Sequence, residues 1–376
     1  MKIIFICGSL EPGNDGVGDY TRLLALEIER HEGCQAYILA LNDRFVVKPA
    51  ECKQIISGDE VNVLRLPADM KIEEKITLSQ NWINKIDPDW ISLQFVPFAF
   101  HSKGIPIQLF KLLSALKCLG KWHIMFHEIW VGIDKGAGTK KIIWGFLQQL
   151  AIKRIVRMLQ PMVMHTQTKM YQAELARHGI HVEYLSLFSN IPVYQSKVLT
   201  LANRDFSSTR RCIHFIIFGS IHPEAPIQLF TEELSKFAAR EQTKISLKIV
   251  GRTGVNQKHW EAVWKEKGFS VEILGEQSPE LISKAFSSST VGISTTPYQL
   301  AEKSGSIAAM QAHGLPVICV AKSWIPRVKT EIRIRDGLTE YRPGNLEVYL
   351  NQMSSKPRGK SVTAVAENFI SSLTSK

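Results

Sequence analysis

The residues best suited to bind a ligand lie where small and charged side chains surround a predicted helix start. Residues 295–320 predict the end of a strand, a polar loop, a short helix and another strand. The helix start is formed by Glu302, Lys303, Ser304, Gly305 and Ser306. A helix N-terminus offers unpaired N–H groups and partial positive charge, which suit a phosphate. The alternative interpretation is an ordinary helix cap.

A second candidate lies near the N-terminus, where an apolar run at residues 2–7 predicts a buried strand. Gly16 and Gly18 follow in the turn before a helix, flanked by Asp15 and Asp19 as capping residues. This order suits close approach of an anion or a sugar to the backbone. The G-x-G pair lacks the third glycine of a dinucleotide fingerprint, so a plain turn remains an equal alternative.

Length and composition indicate a globular protein large enough for two domains. The chain has 376 residues, of which 45% are hydrophobic and 22% charged. Its formal net charge of +11 favours an anionic partner, unless the charge serves only solubility. The basic residues are dispersed rather than interleaved with aromatic residues along one stripe, which argues against nucleic-acid binding.

Cysteine and hydropathy patterns predict a cytoplasmic protein without a structural metal. The six cysteines are scattered singly, as expected of reduced thiols, and no His/Cys cluster has zinc spacing. No apolar run approaches the roughly 20 residues of a spanning helix.

Strand-like and helical segments alternate along the chain, which predicts α/β domains built on parallel sheets. A polar stretch at residues 192–210 predicts a linker, after which the alternation restarts. We therefore expect an N-terminal domain at 1–195 and a C-terminal domain at 211–355. Residues 361–375 predict a closing helix, which could pack back on the first domain.

Several segments together resemble a family-4 glycosyltransferase, and the resemblance covers nearly the whole chain. They are the glycine loop, FHE (126–128), VGRTG (250–254) and the run from residue 269 to residue 320. The resemblance implies GT-B architecture, two Rossmann-like domains facing across a cleft. It also implies transfer of a sugar from a nucleotide-sugar donor, usually with retention of configuration, without a metal and without a further cofactor.

The resemblance implies roles for particular residues. Gly16 and Gly18 match the loop that approaches the donor phosphates. His127 matches a histidine that faces the donor sugar, although a structural histidine is the alternative. Glu302 stands for the first acidic residue of the donor motif, one position nearer Gly314 than usual.

The sequence also departs from the pattern of that family. Its second glutamate is replaced by Ala309 or Met310. The usual arginine and lysine after the linker are missing from the loop that begins at Gly219 and runs to Glu224. Arg252, Lys303 and the amides of Ser304–Ser306 are the available substitutes for stabilising a departing diphosphate. Arg252 could instead be a solvated turn residue.

The acceptor side and the stereochemistry stay open at this point. Gln94, His101 and Lys103 lie in an aromatic, basic loop that could face an acceptor or simply seal the core. An inverting enzyme would need a base, for which Asp15, Asp19, His127 and Glu128 are candidates.

The segment 139–160 mixes cations with bulky apolar residues. It could touch an anionic membrane, where a lipid-linked acceptor would be met. Its cations fall on several sides of a helical wheel, which favours a largely packed helix.

The sequence thus predicts a cytoplasmic glycosyltransferase, peripheral to the membrane at most, acting in polysaccharide, cell-envelope or glycolipid assembly. The alternatives are a nucleotide-sugar epimerase or hydrolase, and a non-catalytic relative that binds a glycan or a partner protein.

Overall fold

The computed structural model describes residues 1–56, 58–194, 212–328, 336–353 and 359–375. The chain divides into two compact units. The first contains Met1–Ser186, Pro326–Thr330 and Val362–Lys376, and the second contains Leu187–Ile325 and Glu331–Ser361. The predicted linker at 192–210 and the predicted boundaries at 195, 211 and 355 fall wholly or mostly outside the described residues.

The elements up to residue 186 alternate between strands and helices. They are β1 (Lys2–Cys7), α1 (Gly16–Glu29), β2 (Gln35–Asp43), β3 (Ala50–Ile56), β4 (Asp59–Pro67), α2 (Ile72–Ile86), β5 (Trp90–Phe95), α3 (Pro97–Phe100), α4 (Ile107–Ala115), β6 (Lys121–Phe126), α5 (Thr139–Leu159), β7 (Val163–Thr166), α6 (Lys169–Arg177) and β8 (Glu183–Tyr184).

The remaining elements continue the alternation. They are β9 (Cys212–Phe218), α7 (Ile227–Arg240), β10 (Lys244–Val250), α8 (Gln257–Glu266), β11 (Ser270–Gly275), α9 (Pro279–Ser287), β12 (Val291–Ser294), a 3₁₀ turn (Tyr298–Lys303), α10 (Gly305–Ala312), β13 (Val317–Cys319), β14 (Leu338–Glu340), α11 (Leu346–Gln352) and α12 (Val362–Thr374).

The first sheet has the strand order β3-β4-β2-β1-β5-β6-β7-β8. Its strands pair in parallel except for β3, which pairs antiparallel with β4 at the edge. The central strands β1 and β5 are buried along almost their whole length, as expected of strands covered on both faces. The strands β2, β4 and β3 extend the sheet on one side of β1, and the strands from β5 onward extend it on the other side. The position between β1 and β5 is therefore a switch point, where open α/β sheets bind ligands.

The second sheet has the order β11-β10-β9-β12-β13-β14, and all its pairs are parallel. Its switch point lies between β9 and β12. Phe215, Phe230 and Trp264 pack together on one face of the sheet. The predicted α/β class with two parallel-sheet domains is therefore confirmed.

Two details differ from expectation. The antiparallel strand β3 was not predicted, because its residues are mostly exposed and carry no apolar alternation. Residues 107–120 predict a helix from their sequence, and the helix that forms there, α4, ends at Ala115. Among the described residues, no helix combines the length and the apolar character needed to cross a bilayer.

Candidate functional site

A pocket of about 440 Å³ opens in the second unit, near the switch point of its sheet. The loops after β9, β12 and β13 supply most of its lining, which consists of His222, Pro223, Thr295, Thr296, Pro297, Leu300, Lys303, Ser304 and Lys322. These loops meet because the three strands are neighbours and run parallel. Ligands of open α/β sheets bind at this edge, so the pocket is the leading candidate site of the second unit.

The loop after β9 is held in place by hydrogen bonds between its backbone and the Thr295 side chain. Gly219 has a φ of +81°, a conformation that glycine adopts at little cost. Thr295 Oγ1 accepts a hydrogen bond from the His222 amide at 2.9 Å and donates one to the Ser220 carbonyl at 3.2 Å. The floor of the pocket is therefore preorganised by a threonine at the end of β12.

Helix α10 begins at the pocket. Ser304 is its N-cap, with Oγ accepting a 3.4 Å hydrogen bond from the Ile307 amide. A helix leaves its first amides without intrahelical partners, and in α10 these belong to Gly305 and Ser306. Helix α10 packs closely on β12, where a Cβ on Gly292 would lie 2.6 Å from Met310 Sδ.

Cationic side chains line the same pocket. Lys303 and Lys322 both contribute, and Lys322 also pairs with the Glu224 carboxylate. Burial lowers the pKa of His222, and the positive charge of nearby Lys303 lowers it further. Two ammonium groups and a helix N-terminus thus converge on one pocket, an arrangement suited to a phosphate or diphosphate.

The other residues predicted on this side have different surroundings. Arg252 Nε pairs with Glu276 Oε2 at 2.7 Å, and both side chains are more than half exposed. Glu302 is half-buried, in the 3₁₀ turn that precedes α10. Ala309 and Met310, which occupy the place of a second glutamate, are fully buried in the core.

In the first unit, His127 follows β6 directly and is 4% exposed. Its Nε2 lies 2.8 Å from Gln94 Oε1, and Tyr20 packs edge-on against its ring with centroids 4.9 Å apart. Burial lowers the pKa of His127 to about 4, and nearby Gln167 opposes the shift in part. The imidazole is therefore neutral at physiological pH and can accept or donate a hydrogen bond.

A buried donor lies beside this histidine. The amide nitrogen of Gln167, a residue only 3% exposed, has no hydrogen-bond partner within the part of the chain that the structure describes. A buried donor without an acceptor costs free energy, which a bound hydroxyl or phosphate oxygen would recover. Gln167 was not singled out from the sequence, where only its position just after β7 could have drawn attention.

The glycine loop provides the N-terminal cap of α1. Asp15 is the N-cap, and its carboxylate accepts hydrogen bonds from the Val17 and Gly18 amides at 2.9 and 3.0 Å. A Cβ on Gly18 would lie 2.5 Å from the Ser9 carbonyl oxygen, whereas nothing lies within 4 Å of one on Gly16. Packing alone therefore accounts for Gly18, and only Gly16 leaves open space beside the backbone.

The residues predicted to face an acceptor are divided between the core and a surface loop. Gln94 is 1% exposed and hydrogen-bonds His127 and Ser92. His101 Nδ1 accepts from the amides of Lys103 and Ile105, which closes a turn. The exposed Lys103 remains a surface candidate.

The first unit has a pocket of its own, of about 420 Å³. Among its lining residues, Arg327 Nε donates to the Gly132 and Asp134 carbonyls, and Arg177 pairs with Glu174 at 3.1 Å. Arg327 and Arg177 thus have intramolecular partners, as Lys322 does in the pocket beside Lys303.

Comparison with known proteins supports the fold. No protein-family model matches the chain, and no curated protein matches it. Among solved structures it is similar to Anabaena HepE in complex with UDP and glucose, with 13% identity, a TM-score of 0.60 and complete coverage of both chains. It is also similar to the UDP-GlcNAc 2-epimerase from Neisseria meningitidis bound to UDP-GlcNAc, with 10% identity, a TM-score of 0.54 and complete coverage of both chains.

A third similar structure is a glycosyltransferase from Rickettsia africae, with 12% identity and a TM-score of 0.56. The alignment covers 99% of this chain and 88% of that one. These likenesses show that the chain has the GT-B fold.

Proposed function

We propose that this protein is an enzyme acting on a nucleoside-diphosphate sugar, whose diphosphate binds in the pocket beside Lys303. The observation that carries the proposal is the convergence of Lys303, Lys322 and the start of α10 on one pocket at the switch point of the sheet. The HepE and epimerase structures that share the fold contain UDP or UDP-GlcNAc, which favours uridine as the base. In this proposal Gly219 and Ser304–Ser306 bind the phosphates, with Arg252 nearby.

Sugar transfer to a glycan or lipid-linked acceptor is the first candidate reaction. A departing diphosphate must be stabilised as its negative charge develops, and two ammonium groups with helix amides supply that stabilisation without requiring a metal. In the second unit Glu302 would contact the hydroxyls of the donor sugar. In the first unit His127 and Gln167 would hydrogen-bond a substrate hydroxyl, and Asp15 would contribute by capping α1. Retention of configuration stays a proposal that follows the family resemblance.

Binding measurements test the donor site directly. We expect UDP to bind the full chain, and Lys303→Ala to weaken its affinity by about 10- to 100-fold, the effect of losing a charge-assisted hydrogen bond. Calorimetric titration would measure this, with Lys236→Ala, an exposed lysine in α7, as the matched control. Equal affinities for UDP in both variants would contradict the proposed site.

Epimerisation of the sugar is the second candidate, favoured by the UDP-GlcNAc 2-epimerase that shares the fold. Inverting a carbon centre requires a group that removes and returns a proton, and Glu128 directly after His127 is a candidate. Incubation with UDP-GlcNAc and no acceptor separates the two reactions. A new UDP-sugar stereoisomer in the NMR spectrum would establish epimerisation, whereas consumption that depends on added acceptor would establish transfer. Donor binding without any turnover would favour a non-catalytic relative.

We also propose that α5 contacts an anionic membrane surface. The expectation that this helix is largely packed is wrong for its first three turns, where Ile143 is 63% exposed, Phe146 55% and Leu150 48%. Exposed cations lie on the same helix, among them Lys140 and Lys141 before these residues and Arg154 and Arg157 after them. An apolar strip flanked by cations binds lipid by burying apolar area and by attraction to acidic head groups.

Vesicle co-sedimentation tests this contact. We expect the protein to bind phosphatidylglycerol vesicles at low salt, and Phe146→Ser with Leu150→Ser to reduce partitioning at least tenfold, because burying one large apolar side chain contributes about 2 kcal/mol. The matched control replaces Leu229 and Val348, which are similarly exposed in the second unit, by serine. An equal loss in the control pair, or no binding by the wild-type protein, would exclude α5 as a lipid-binding element.

A further inference from the structure

A continuous row of buried polar side chains runs through the interior of the first sheet. His127 Nε2 contacts Gln94 Oε1 at 2.8 Å, and Gln94 Nε2 contacts Ser92 Oγ at 2.7 Å. Ser92 Oγ lies 2.7 Å from His123 Nδ1, and His123 Nε2 lies 2.9 Å from His165 Nδ1. All five residues are at most 4% exposed, on or directly after β5, β6 and β7. We call this row the histidine chain.

The hydrogen bonds of the histidine chain can be assigned one after another. The Gln94 carbonyl oxygen only accepts, so His127 must donate through Nε2. Ser92 accepts from the Gln94 amide, and it donates its own hydrogen to His123 when His123 Nδ1 is unprotonated. His123, being neutral, then carries its proton on Nε2 and donates to His165 Nδ1. In this assignment all donors face the same way along the histidine chain.

The far end of the chain meets a carboxylate. His165 Nε2 lies 3.9 Å from Glu183 Oε2, and the Glu183 side chain is 63% exposed. A carboxylate favours a proton on the nitrogen that faces it. Protonation of His123 and His165 at Nδ1 instead would leave a lone pair of His165 Nε2 facing that carboxylate. Glu183 therefore favours the direction in which every histidine is protonated at Nε2.

We propose that the histidine chain fixes His127 as its neutral Nε2–H tautomer, so that Nδ1 is held unprotonated as a hydrogen-bond acceptor. Gln94, Ser92, His123, His165 and Glu183 are then positioning residues that act through His127. The inference rests on the proposed function only in naming the ligand that Nδ1 would accept from, a hydroxyl of a bound sugar. The tautomer itself is a property of the free protein.

Burial keeps the three imidazoles neutral, which the assignment requires. The pKa values of His127 and His165 are lowered to about 4 by burial, and that of His123 is lowered well below its usual value by burial and by its two histidine neighbours. A neutral imidazole has one donor and one acceptor nitrogen, so each tautomer has a definite chemical meaning.

Nitrogen NMR of the full chain labelled with ¹⁵N-histidine measures the tautomers without a substrate. Long-range ¹H–¹⁵N correlations at pH 7 distinguish a protonated from an unprotonated ring nitrogen. We expect His123, His127 and His165 each to be protonated at Nε2 alone. A proton on Nδ1 of His127 in the wild-type protein would overturn the proposal, whatever the outcome of the activity assays.

Two variants interrupt the histidine chain at different points. Ser92→Ala removes the hydroxyl between Gln94 and His123, and Glu183→Gln removes the charge at the exposed end. We expect Ser92→Ala to leave His127 in a mixture of tautomers and to lower kcat about tenfold, with KM within twofold. Glu183→Gln should introduce the second tautomer at His165.

The matched control is Ser79→Ala, because Ser79 is fully buried in α2 of the same unit and its hydroxyl has no hydrogen-bond partner among the described residues. It should change neither the tautomers nor kcat. If Ser92→Ala and Glu183→Gln both leave every histidine as a single Nε2–H tautomer, the histidine chain does not set the tautomers and the proposal fails. If the histidines show these tautomers but the protein has no nucleotide-sugar turnover, the proposed function alone is refuted.

Discussion

Lys322 brings a second ammonium group to the pocket from the loop after β13, where it also pairs with Glu224. Lys303 was predicted because it precedes a recognisable helix start, and it lines the pocket. Lys322 was missed, since a lysine two residues beyond an apolar run carries no sign of the pocket that it joins. Its position follows from the pairing of β12 with β13, which brings the two strand ends together. Positive charge absent from the loop after β9 is thus supplied by a neighbouring loop.

Gly16 and Gly18 look equivalent in sequence, and the structure separates them. A methyl group on Gly18 would meet the Ser9 carbonyl at 2.5 Å, whereas one on Gly16 would meet no atom within 4 Å. We expect Gly18→Ala to lower the free energy of unfolding by about 1–3 kcal/mol, the usual cost of overpacking. Gly16→Ala should change it by less than about 1 kcal/mol. Urea unfolding of both variants measures the difference.

The same pair of variants separates packing from binding. If a ligand approaches the backbone at Gly16, Gly16→Ala should raise KM for the nucleotide sugar while stability stays near that of the wild-type protein. Equal destabilisation by the two variants would contradict the packing argument for Gly18.

At the scale of elements, apolar strands were the most predictable features. The apolar run at residues 2–7 becomes the central strand β1, because only a strand covered on both faces is apolar along its whole length. The edge strand β3 was missed for the opposite reason, since its exposed side chains carry no such pattern. The outward apolar face of α5 was also missed, because a helical wheel shows which residues share a side but not which side the domain covers.

The histidines on β6 and β7 make the stability of the first unit depend on pH. Their side chains are buried and neutral in the folded chain, with the pKa of His165 lowered to about 4 from an unfolded value near 6.5. As pH falls from 7 towards 4, the unfolded chain takes up a proton that the folded chain does not, so stability is lost. At pH 5 the loss from His165 amounts to about 2 kcal/mol.

Urea unfolding at pH 7 and pH 5 tests this estimate. The wild-type protein should lose stability over that range, and His165→Gln should lose about 2 kcal/mol less than the wild-type protein does. His181→Gln, which changes an exposed histidine of the same unit, should behave like wild type. If His165→Gln retained the full wild-type dependence on pH, the buried histidine would not be its source.

At the scale of the whole molecule, the order of strands and helices predicted two α/β units. Hydrophobic pattern alone could not predict which elements each unit contains. The first unit includes α12, which is separated in sequence from β1 by more than 300 residues. Pattern shows that residues 361–375 form an amphipathic helix, but the surface that such a helix covers is decided by tertiary packing. In the structure α12 packs on α1 and on the core beneath it.

Phe369 is the residue through which α12 completes the first unit. It is fully buried, with its ring centroid 5.8 Å from that of Phe5 and 5.0 Å from that of His123. We expect Phe369→Ala to lower the free energy of unfolding by about 3–5 kcal/mol, because it removes contacts and leaves a cavity that the rigid sheet cannot fill. The exposed neighbour Asn368 provides the control, since its replacement by alanine should change stability by less than about 0.5 kcal/mol. Chemical denaturation followed by circular dichroism compares the two, and equal stabilities would show that α12 is dispensable to the first unit.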